Sequence, residues 1–155
     1  MLRLAPSRLA LAVSAILLGA FDAQAACVTS GSVTTCDATV PDPWTSTVGT
    51  GNTAAEDNRR VELQPGSTLQ TGNANAISLR DNAVILIGDG STVSAAATSA
   101  PGLFAAGGNT LELRSNGVVD IAAGGRILAT GTQTTAEAIN VLGTGNVLTN
   151  SGLIQ

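Results

Sequence analysis

The sequence predicts an all-β protein built as a parallel β-helix (β-solenoid), and three observations support this prediction. Short segments with two apolar side chains on one face recur along the chain, which is the period-2 pattern of β-strands and fits a helix poorly. Glycine and asparagine turns separate these segments, and aromatic residues are scarce. The apolar pairs are Val61/Leu63, Ile77/Leu79, Ile85/Ile87, Leu111/Leu113, Val119/Ile121 and Ile139/Val141.

Glycines mark the corners at which the chain is expected to turn from one strand into the next. Glycine reaches positive φ at little steric cost, so it permits a sharp turn. Gly66, Gly90, Gly117 and Gly152 form this series, with intervals of 24, 27 and 35 residues. These intervals are in the length range of structural repeats. Their unequal lengths predict that loops such as residues 95–101 and 131–137 bulge from an otherwise regular stack.

A β-sandwich is the competing all-β fold. Sandwich strands pair through hairpins with two-residue loops, and aromatic residues fill the core. This chain has two Phe, one Trp and no Tyr, and its small apolar residues suit a narrow stacked interior. Each coil of a β-helix would pair in parallel with its neighbours and bury its inward side chains on theirs. The predicted β-helix segment covers residues 59–155.

The N-terminus has the three-part pattern of a secretory signal peptide. Arg3 and Arg8 precede an apolar run over residues 9–18, and Ala23-Gln24-Ala25 is a small-residue cleavage site. The predicted signal peptide is residues 1–25, with cleavage between Ala25 and Ala26. A membrane helix needs about 20 apolar residues, so a retained anchor fits poorly. Lipidation of Cys27 is a weaker alternative, because a lipoprotein signal usually has an aliphatic residue where Gln24 stands.

Residues 26–58 are predicted to form an irregular N-terminal cap, because they are rich in Ser, Thr, Gly, Asp and Pro. Cys27 and Cys36 are the only cysteines and are expected to form a disulfide in an exported chain. A loop of about ten residues gains roughly 2–3 kcal/mol from such a bond. A metal site is the weaker alternative, because the chain has no histidine. Trp44 is expected to plug the end of the core.

The charge of the chain argues against a nucleic-acid partner. After removal of residues 1–25, five arginines and ten carboxylates remain, and there is no lysine. A phosphate-binding surface needs clustered cations, and Arg59-Arg60 is the nearest approach to one. This pair is better interpreted as a solvated entry to the first strand.

The residues needed for familiar catalytic sites are missing, so we predict neither an enzyme nor a cofactor or metal in this segment. Without histidine, Ser91 in Gly88–Ser91 has no base and is interpreted as part of a turn. A glycosidase or lyase would need two positioned acids. A calcium site would need six or more oxygen ligands, and Asp89 between two glycines supplies one acid. The candidate acids for sugar chemistry are Asp81, Asp89, Glu112 and Asp120.

Several segments together resemble the beginning of a bacterial autotransporter passenger domain. They are Ala26-Cys27-Val28 directly after the signal peptide, the second cysteine Cys36, and the runs at residues 108–113 and 148–153. The resemblance covers most of the mature chain through its repetitive β texture. It implies a right-handed β-helix, export by the Sec machinery, and display at the cell surface by a C-terminal outer-membrane β-barrel of type V secretion.

The sequence departs from the complete family pattern. Nothing in it resembles the translocator barrel, which needs many alternating strands of about ten residues. The sequence also stops at Gln155 without a closing cap, so we expect a β-helix segment that is incomplete at its C-terminal end. Without a barrel the expected location would be periplasmic or extracellular instead of the outer membrane.

Three functional hypotheses follow. The first is a surface-displayed structural or adhesive passenger (an adhesin) with host or bacterial surface ligands. The second is a carbohydrate-active exported β-helix, a lyase or hydrolase, whose active site lies mostly outside this segment. The third is a complete small exported protein.

Overall fold

The computed structural model describes residues 27–39, 42–98, 108–133 and 136–155. The predicted signal peptide and its cleavage site between Ala25 and Ala26 lie outside these residues.

The described part contains thirteen β-strands and one short 3-10 helix, and none of its helices is long and apolar enough to cross a membrane. The elements are β1 (Cys27–Ser30), β2 (Val33–Cys36), the 3-10 helix (Ala54–Glu56), β3 (Arg60–Leu63), β4 (Thr68–Thr71), β5 (Ile77–Ser78), β6 (Val84–Ile87), β7 (Thr92–Ala95), β8 (Leu111–Leu113), β9 (Val118–Ile121), β10 (Arg126–Ala129), β11 (Ile139–Val141), β12 (Val147–Asn150) and β13 (Leu153–Ile154).

The strands form three sheets, which the chain enters in rotation. Sheet A has the order β1-β2-β3-β6-β9-β12, sheet B the order β4-β7-β10-β13, and sheet C the order β5-β8-β11. Apart from the antiparallel pair β1–β2, the paired strands in the described residues are parallel. We call one passage through the sheets a unit: unit 1 is β3–β5, unit 2 is β6–β8, unit 3 is β9–β11, and unit 4 is β12 and β13. The predicted all-β class is confirmed, with parallel sheets.

Alternate residues of each strand point into a core that the three sheets share. In sheet A the register aligns Val61 with Ile85 and Ile85 with Val119. These three side chains are at most 2% exposed and belong to one apolar cluster. Burial of apolar surface at about 25 cal/mol per Å² is the main stabilising contribution, and each unit obtains it from its neighbours.

The predicted apolar pairs of units 1 and 2, and the pair in β9, are buried in this core. Leu79 is buried although β5 ends at Ser78. The pair in β11 differs, because Val141 is 45% exposed and Ile139 is only partly buried. The physical reason is that sheet C has no described strand beyond β11, so no strand of the described residues covers this pair from that direction.

The corner between sheets A and B (the A–B corner) is a glycine turn in units 1 to 3. Gly66, Gly90 and Gly124 have φ of 78°, 66° and 76° there. The sequence series contained the first two of these glycines but missed Gly124. Gly152 lies at the same corner of unit 4 for a different reason: a Cβ on it would lie 2.1 Å from the carbonyl oxygen of Gly125.

The corner between sheets C and A (the C–A corner) uses asparagine instead. Asn58, Asn82 and Asn116 adopt positive φ of 57°, 56° and 59°, and Gly145 follows at the next level with 76°. Asparagine is the non-glycine residue that tolerates this region best. Gly117 therefore does not belong to the same series as Gly66 and Gly90, and the prediction of one glycine series was wrong. It lies at the C–A corner beside Asn116.

Side-chain oxygens continue the hydrogen-bond ladder between units where the strands end. Asn75 Oδ1 accepts the Asn109 amide at 3.0 Å, and Asn109 Oδ1 accepts the Glu137 amide at 2.9 Å. At the C–A corner Asp81 Oδ1 accepts the Ser115 amide at 3.0 Å. In each case the acceptor lies one unit before the donor. Backbone amides that leave a sheet would otherwise lack a partner.

The prediction of an irregular segment over residues 26–58 was wrong for its first part. β1 and β2 form a hairpin, and β2 pairs in parallel with β3, so both strands extend sheet A. The inward residues of β2 are Thr34 and Cys36, which are 3% and 1% exposed. The apolar-pair pattern missed this strand because a threonine occupies one of its inward positions.

Candidate functional site

The N-terminal cap, which we define as β1, β2, Trp44 and Val48, closes one end of the core. Cys27 and Cys36 form the predicted disulfide, with Cα atoms 3.9 Å apart, and are directly opposite in the hairpin. β1 covers the edge of β2, which would otherwise present unpaired amides and carbonyls. An uncovered sheet edge is a site of uncontrolled association. The disulfide therefore fixes the strand that protects this end of sheet A.

Trp44 and Val48 cover the same end at sheets B and C. Trp44 makes a parallel bridge with Leu69, and Val48 makes one with Ile77. The Trp44 side chain is partly buried against the core cluster, and Val48 is 6% exposed. Trp44 thus covers the end of the core, as the sequence predicted.

We expect the Cys27→Ser/Cys36→Ser double variant to lose about 2–3 kcal/mol of unfolding free energy, because the cross-link no longer restricts the unfolded chain. Chemical denaturation followed by circular dichroism measures this difference. The wild type with a reducing agent serves as control and should match the double variant. Equal stability of the oxidised wild type and the double variant would contradict a stabilising role for the bond.

Asp37 follows the cap and is fully exposed. The Thr39 hydroxyl donates to its carboxylate at 2.5 Å and the Thr39 amide donates at 2.9 Å, so the pKa of Asp37 is lowered. A lowered folded-state pKa means that this contribution to stability is present at neutral pH and is lost as the pH falls through the folded-state pKa. The interaction fixes a local turn at the surface.

The four acids considered for sugar chemistry lie in different parts of the fold. Asp81 is at the C–A corner and Asp89 at the A–B corner, while Glu112 is in β8 of sheet C and Asp120 in β9 of sheet A. Asp81 accepts the Ser115 amide, and its Oδ2 lies 3.9 Å from Nη2 of Arg80. Each acid therefore has a corner or sheet-face position of its own.

Glu112 has a structural partner on the outer side of sheet C. The Ser78 hydroxyl donates to Glu112 Oε1 at 3.0 Å, and Ser78 is 4% exposed. A Cβ on Gly51 would lie 2.4 Å from Ser78 Oγ, so the segment before the 3-10 helix covers this serine. The Ser78 hydroxyl is therefore held between the main chain at Gly51 and the Glu112 carboxylate.

Ser91 also has a structural role. It is fully buried at the A–B corner, and its hydroxyl donates to the carbonyl oxygen of Gln64 at 2.7 Å. Ser67 donates to the same oxygen at 2.8 Å. The Gly88–Ser91 segment is accordingly a corner turn whose serine satisfies a main-chain acceptor of the preceding unit.

The arginine pair at the start of β3 is matched by acids. Arg59 Nε lies 3.8 Å from Glu56 Oε2, and Arg60 forms an ion pair with Glu62. Within the described ranges, no group of three or more His, Cys, Asp or Glu side chains is placed to hold a metal ion.

The corner between sheets B and C, which we call the variable corner, is where the connections differ most in length. Residues 72–76, 96–110 and 130–138 make this connection in units 1, 2 and 3. The A–B connections of the same units have four residues each. Both loops predicted to bulge, residues 95–101 and 131–137, begin at the variable corner. Residues 99–107 and 134–135 lie outside the described residues.

Hydrogen bonds connect the described ends of these loops from unit to unit. The Thr98 amide donates to Asn73 Oδ1 at 2.7 Å, and the Gln133 amide donates to the Ala97 carbonyl at 3.1 Å. Glu137 is the one ionisable side chain in the three connections. The variable corner therefore combines anchored loop ends with sequence that carries a single ionisable side chain.

The opposite end of the core, which we call the open edge, consists of β11, β12 and β13. Val141, Val147, Leu148 and Leu153 are 45%, 55%, 51% and 43% exposed there. An apolar cavity of about 420 Å³ lies between β11 and β12, with Leu113, Val119 and Ile139 among its lining residues. Exposed apolar surface beside unpaired strand edges favours association.

We expect the chain of residues 26–155 to self-associate through the open edge, and Leu148→Lys to weaken this association by placing a charge beside the cavity. Sedimentation velocity over a range of concentrations measures it. Val118→Lys, on the outer face of sheet A, is the matched control and should associate like the wild type. A wild type that is monomeric at every concentration would contradict the prediction.

Comparisons with family models, with curated protein sequences and with solved structures found no match to this chain. The geometry of the described residues is therefore the basis for a functional proposal. It singles out the variable corner, which sequence reasoning detected only as irregular spacing. The asparagines that anchor it, Asn73 and Asn75, were not predicted.

Proposed function

We propose that this chain is a segment of a right-handed parallel β-helix that serves as a structural or adhesive passenger of autotransporter type at the bacterial cell surface. The segment is proposed to be non-catalytic and to need no cofactor. The observation that carries the proposal is the rotation of the chain through three parallel sheets, combined with the collection of its long connections at the variable corner.

The rotation supports a β-helix for a topological reason. A strand that pairs in parallel with its counterpart one unit later requires the chain to travel around the core and return in the same direction. Crossovers between parallel strands of one sheet are right-handed in about 98% of cases. Each unit then buries its inward side chains on the units before and after it, as in other repeat proteins.

The variable corner supports presentation of a binding surface. Connections that carry function are usually loops positioned by a rigid scaffold. Here the sheets supply the scaffold, and connections of different length leave it at one corner. Their composition, with Glu137 as the one ionisable side chain and no cation, suits surface ligands on host or bacterial cells, and it does not suit nucleic acid.

The cellular setting of the proposal comes from the N-terminal region. The disulfide Cys27–Cys36 is typical of proteins that fold outside the cytosol. A signal peptide would direct the chain to the Sec machinery, and a C-terminal outer-membrane β-barrel would be the partner that displays it. These partners complete the passenger hypothesis.

Surface display can be tested in a Gram-negative host that expresses the gene with its own leader and adjoining coding sequence. An epitope inserted after Gly131 places a label at the variable corner. We expect antibody to label intact cells, and a leader variant with aspartates in residues 9–18 to abolish the label. Labelling that requires permeabilised outer membranes would overturn surface display.

The adhesive role can be tested on the same cells. Replacing residues 96–110 by the five-residue connection of unit 1, residues 72–76, shortens the longest loop and leaves the strands unchanged. We expect this variant to be displayed normally and to lose binding to target cells. Val118→Thr on the outer face of sheet A is the matched control. Unchanged binding by the shortened variant would exclude this loop as the binding element.

A further inference from the structure

The corner that joins β8 to β9 contains the one Asn-Gly step of the chain, Asn116-Gly117. The structure favours both residues at this corner. Asn116 has a φ of 59°, which asparagine tolerates better than other side chains. Gly117 leaves room for the next unit, because a Cβ on it would lie 2.8 Å from Asn146 Oδ1. The backbone conformation of Asn116 and the close Asn146 side chain at Gly117 therefore favour this dipeptide at the corner.

An Asn-Gly step is the sequence most prone to deamidation, because glycine offers no side chain to obstruct ring closure. The Gly117 amide nitrogen, after losing its proton to a base in the solvent, attacks Cγ of Asn116. The new N–Cγ bond forms while the Cγ–Nδ2 bond breaks, and Nδ2 leaves as ammonia after taking up a proton. Water then opens the succinimide ring at either carbonyl, which leaves aspartate or isoaspartate at position 116.

The corner before β12 blocks this reaction in the folded chain. The Gly117 amide donates to Asn146 Oδ1 at 2.7 Å. The nitrogen that would attack Cγ of Asn116 is therefore held in a hydrogen bond to the next unit. Asn146 Nδ2 donates to the Arg114 carbonyl at 2.7 Å, which orients the side chain. The Asn116 amide donates to the Thr144 carbonyl at 2.8 Å. These bonds restrain the backbone on both sides of the bond that must rotate for ring closure.

We propose that Asn116 is a site of spontaneous deamidation and that the Asn146 side chain holds it unreacted. Asn146 lies directly before β12 of unit 4, whose strands β12 and β13 are largely exposed. When the corner before β12 moves away from the corner before β9, the hydrogen bond between Asn146 and the Gly117 amide breaks. The product, a carboxylate or an isoaspartyl link with an additional backbone atom, then weakens the fit of unit 4. Docking of unit 4 therefore slows deamidation of Asn116, and deamidation of Asn116 weakens the docking of unit 4.

Peptide mass mapping tests the proposal on the oxidised chain of residues 26–155 held at mildly alkaline pH. Trypsin cleaves after Arg114 and Arg126 and releases residues 115–126, in which Asn116 is the sole amide side chain. The amide-to-acid mass change and the separation of the two product isomers report the reaction. The digestion is kept short and equal for all samples, so that deamidation during digestion is the same in each. Asn116→Gln gives the mass signal expected when position 116 does not react.

We expect the wild type to react more slowly than a free peptide of residues 113–119. Asn146→Ala should react about threefold to tenfold faster than the wild type, the factor that corresponds to one hydrogen bond. Asn146→Asp retains an acceptor for the Gly117 amide but loses the donor to the Arg114 carbonyl, so it should react at a rate between those of the wild type and Asn146→Ala. Thr149→Ala, an exposed change in β12, should react like the wild type.

Three results would overturn the proposal. They are an Asn146→Ala variant that reacts no faster than the wild type, an Asn146→Asp or Thr149→Ala variant that reacts as fast as Asn146→Ala, and a wild type that reacts as fast as the free peptide.

Discussion

Replacing Ile85 by alanine is expected to lower the free energy of unfolding by about 4 kcal/mol, because it removes buried atoms and leaves a cavity. Ile85 is fully buried in β6, with Val61 on one side and Val119 on the other. Its side chain therefore contributes to the packing of unit 2 against two neighbours. Narrow sheets around a small core leave little freedom for these neighbours to collapse into the cavity.

Chemical denaturation followed by circular dichroism measures the loss. Leu148→Ala is the matched control, because Leu148 is an inward residue of the same sheet but is 51% exposed at the open edge. It should cost less than about 1 kcal/mol, as partly exposed substitutions usually do. If the two variants lost similar amounts of unfolding free energy, the packing of each unit against its neighbours would not be the source of stability.

The parallel β-structure was predictable because its signal lies within single strands. An apolar residue at every second position decides which face is buried, as in Ile85-Leu86-Ile87, where Leu86 is the outward residue. The scarcity of aromatic residues and the small apolar side chains then favoured parallel stacking. The strand β2 escaped this reasoning because Thr34 and Cys36 fill its inward positions.

The corners were harder to predict because glycine serves two purposes in this chain. Gly66 and Gly90 supply positive φ, whereas Gly152 supplies room for the carbonyl of Gly125. Sequence spacing cannot separate a conformational requirement from a steric one. Asparagine adds to the ambiguity, since Asn116 takes a left-handed position that elsewhere belongs to glycine.

The candidate site was predictable only in part. Unequal repeat intervals indicated loops, but the position of the loops on one corner depends on the sheet to which each flanking strand belongs. Residues 96–110 and 130–138 have no common motif that would reveal this. The disulfide was predictable from chemistry alone, because the chain has two cysteines and an export signal pattern.

Replacing Gly88 by alanine is expected to cost about 3 kcal/mol of unfolding free energy through steric overlap with the preceding unit. A Cβ on Gly88 would lie 2.4 Å from the Leu63 carbonyl oxygen and 2.9 Å from the Pro65 nitrogen. Both are backbone atoms, so no flexible side chain can move aside. The Gly88 amide also donates to the same Leu63 oxygen at 2.9 Å, so relief of the overlap weakens a hydrogen bond between units.

Gly72→Ala is the matched control for this substitution. A Cβ on Gly72 would have no neighbouring atom within 4 Å. Gly72 is not among the positive-φ glycines either, so alanine there should be neutral or stabilise the protein by a few tenths of a kcal/mol through a less flexible unfolded chain. Denaturation curves of both variants separate the two effects of glycine. If Gly88→Ala were as stable as Gly72→Ala, the inference that units 1 and 2 approach too closely for a Cβ at Gly88 would be contradicted.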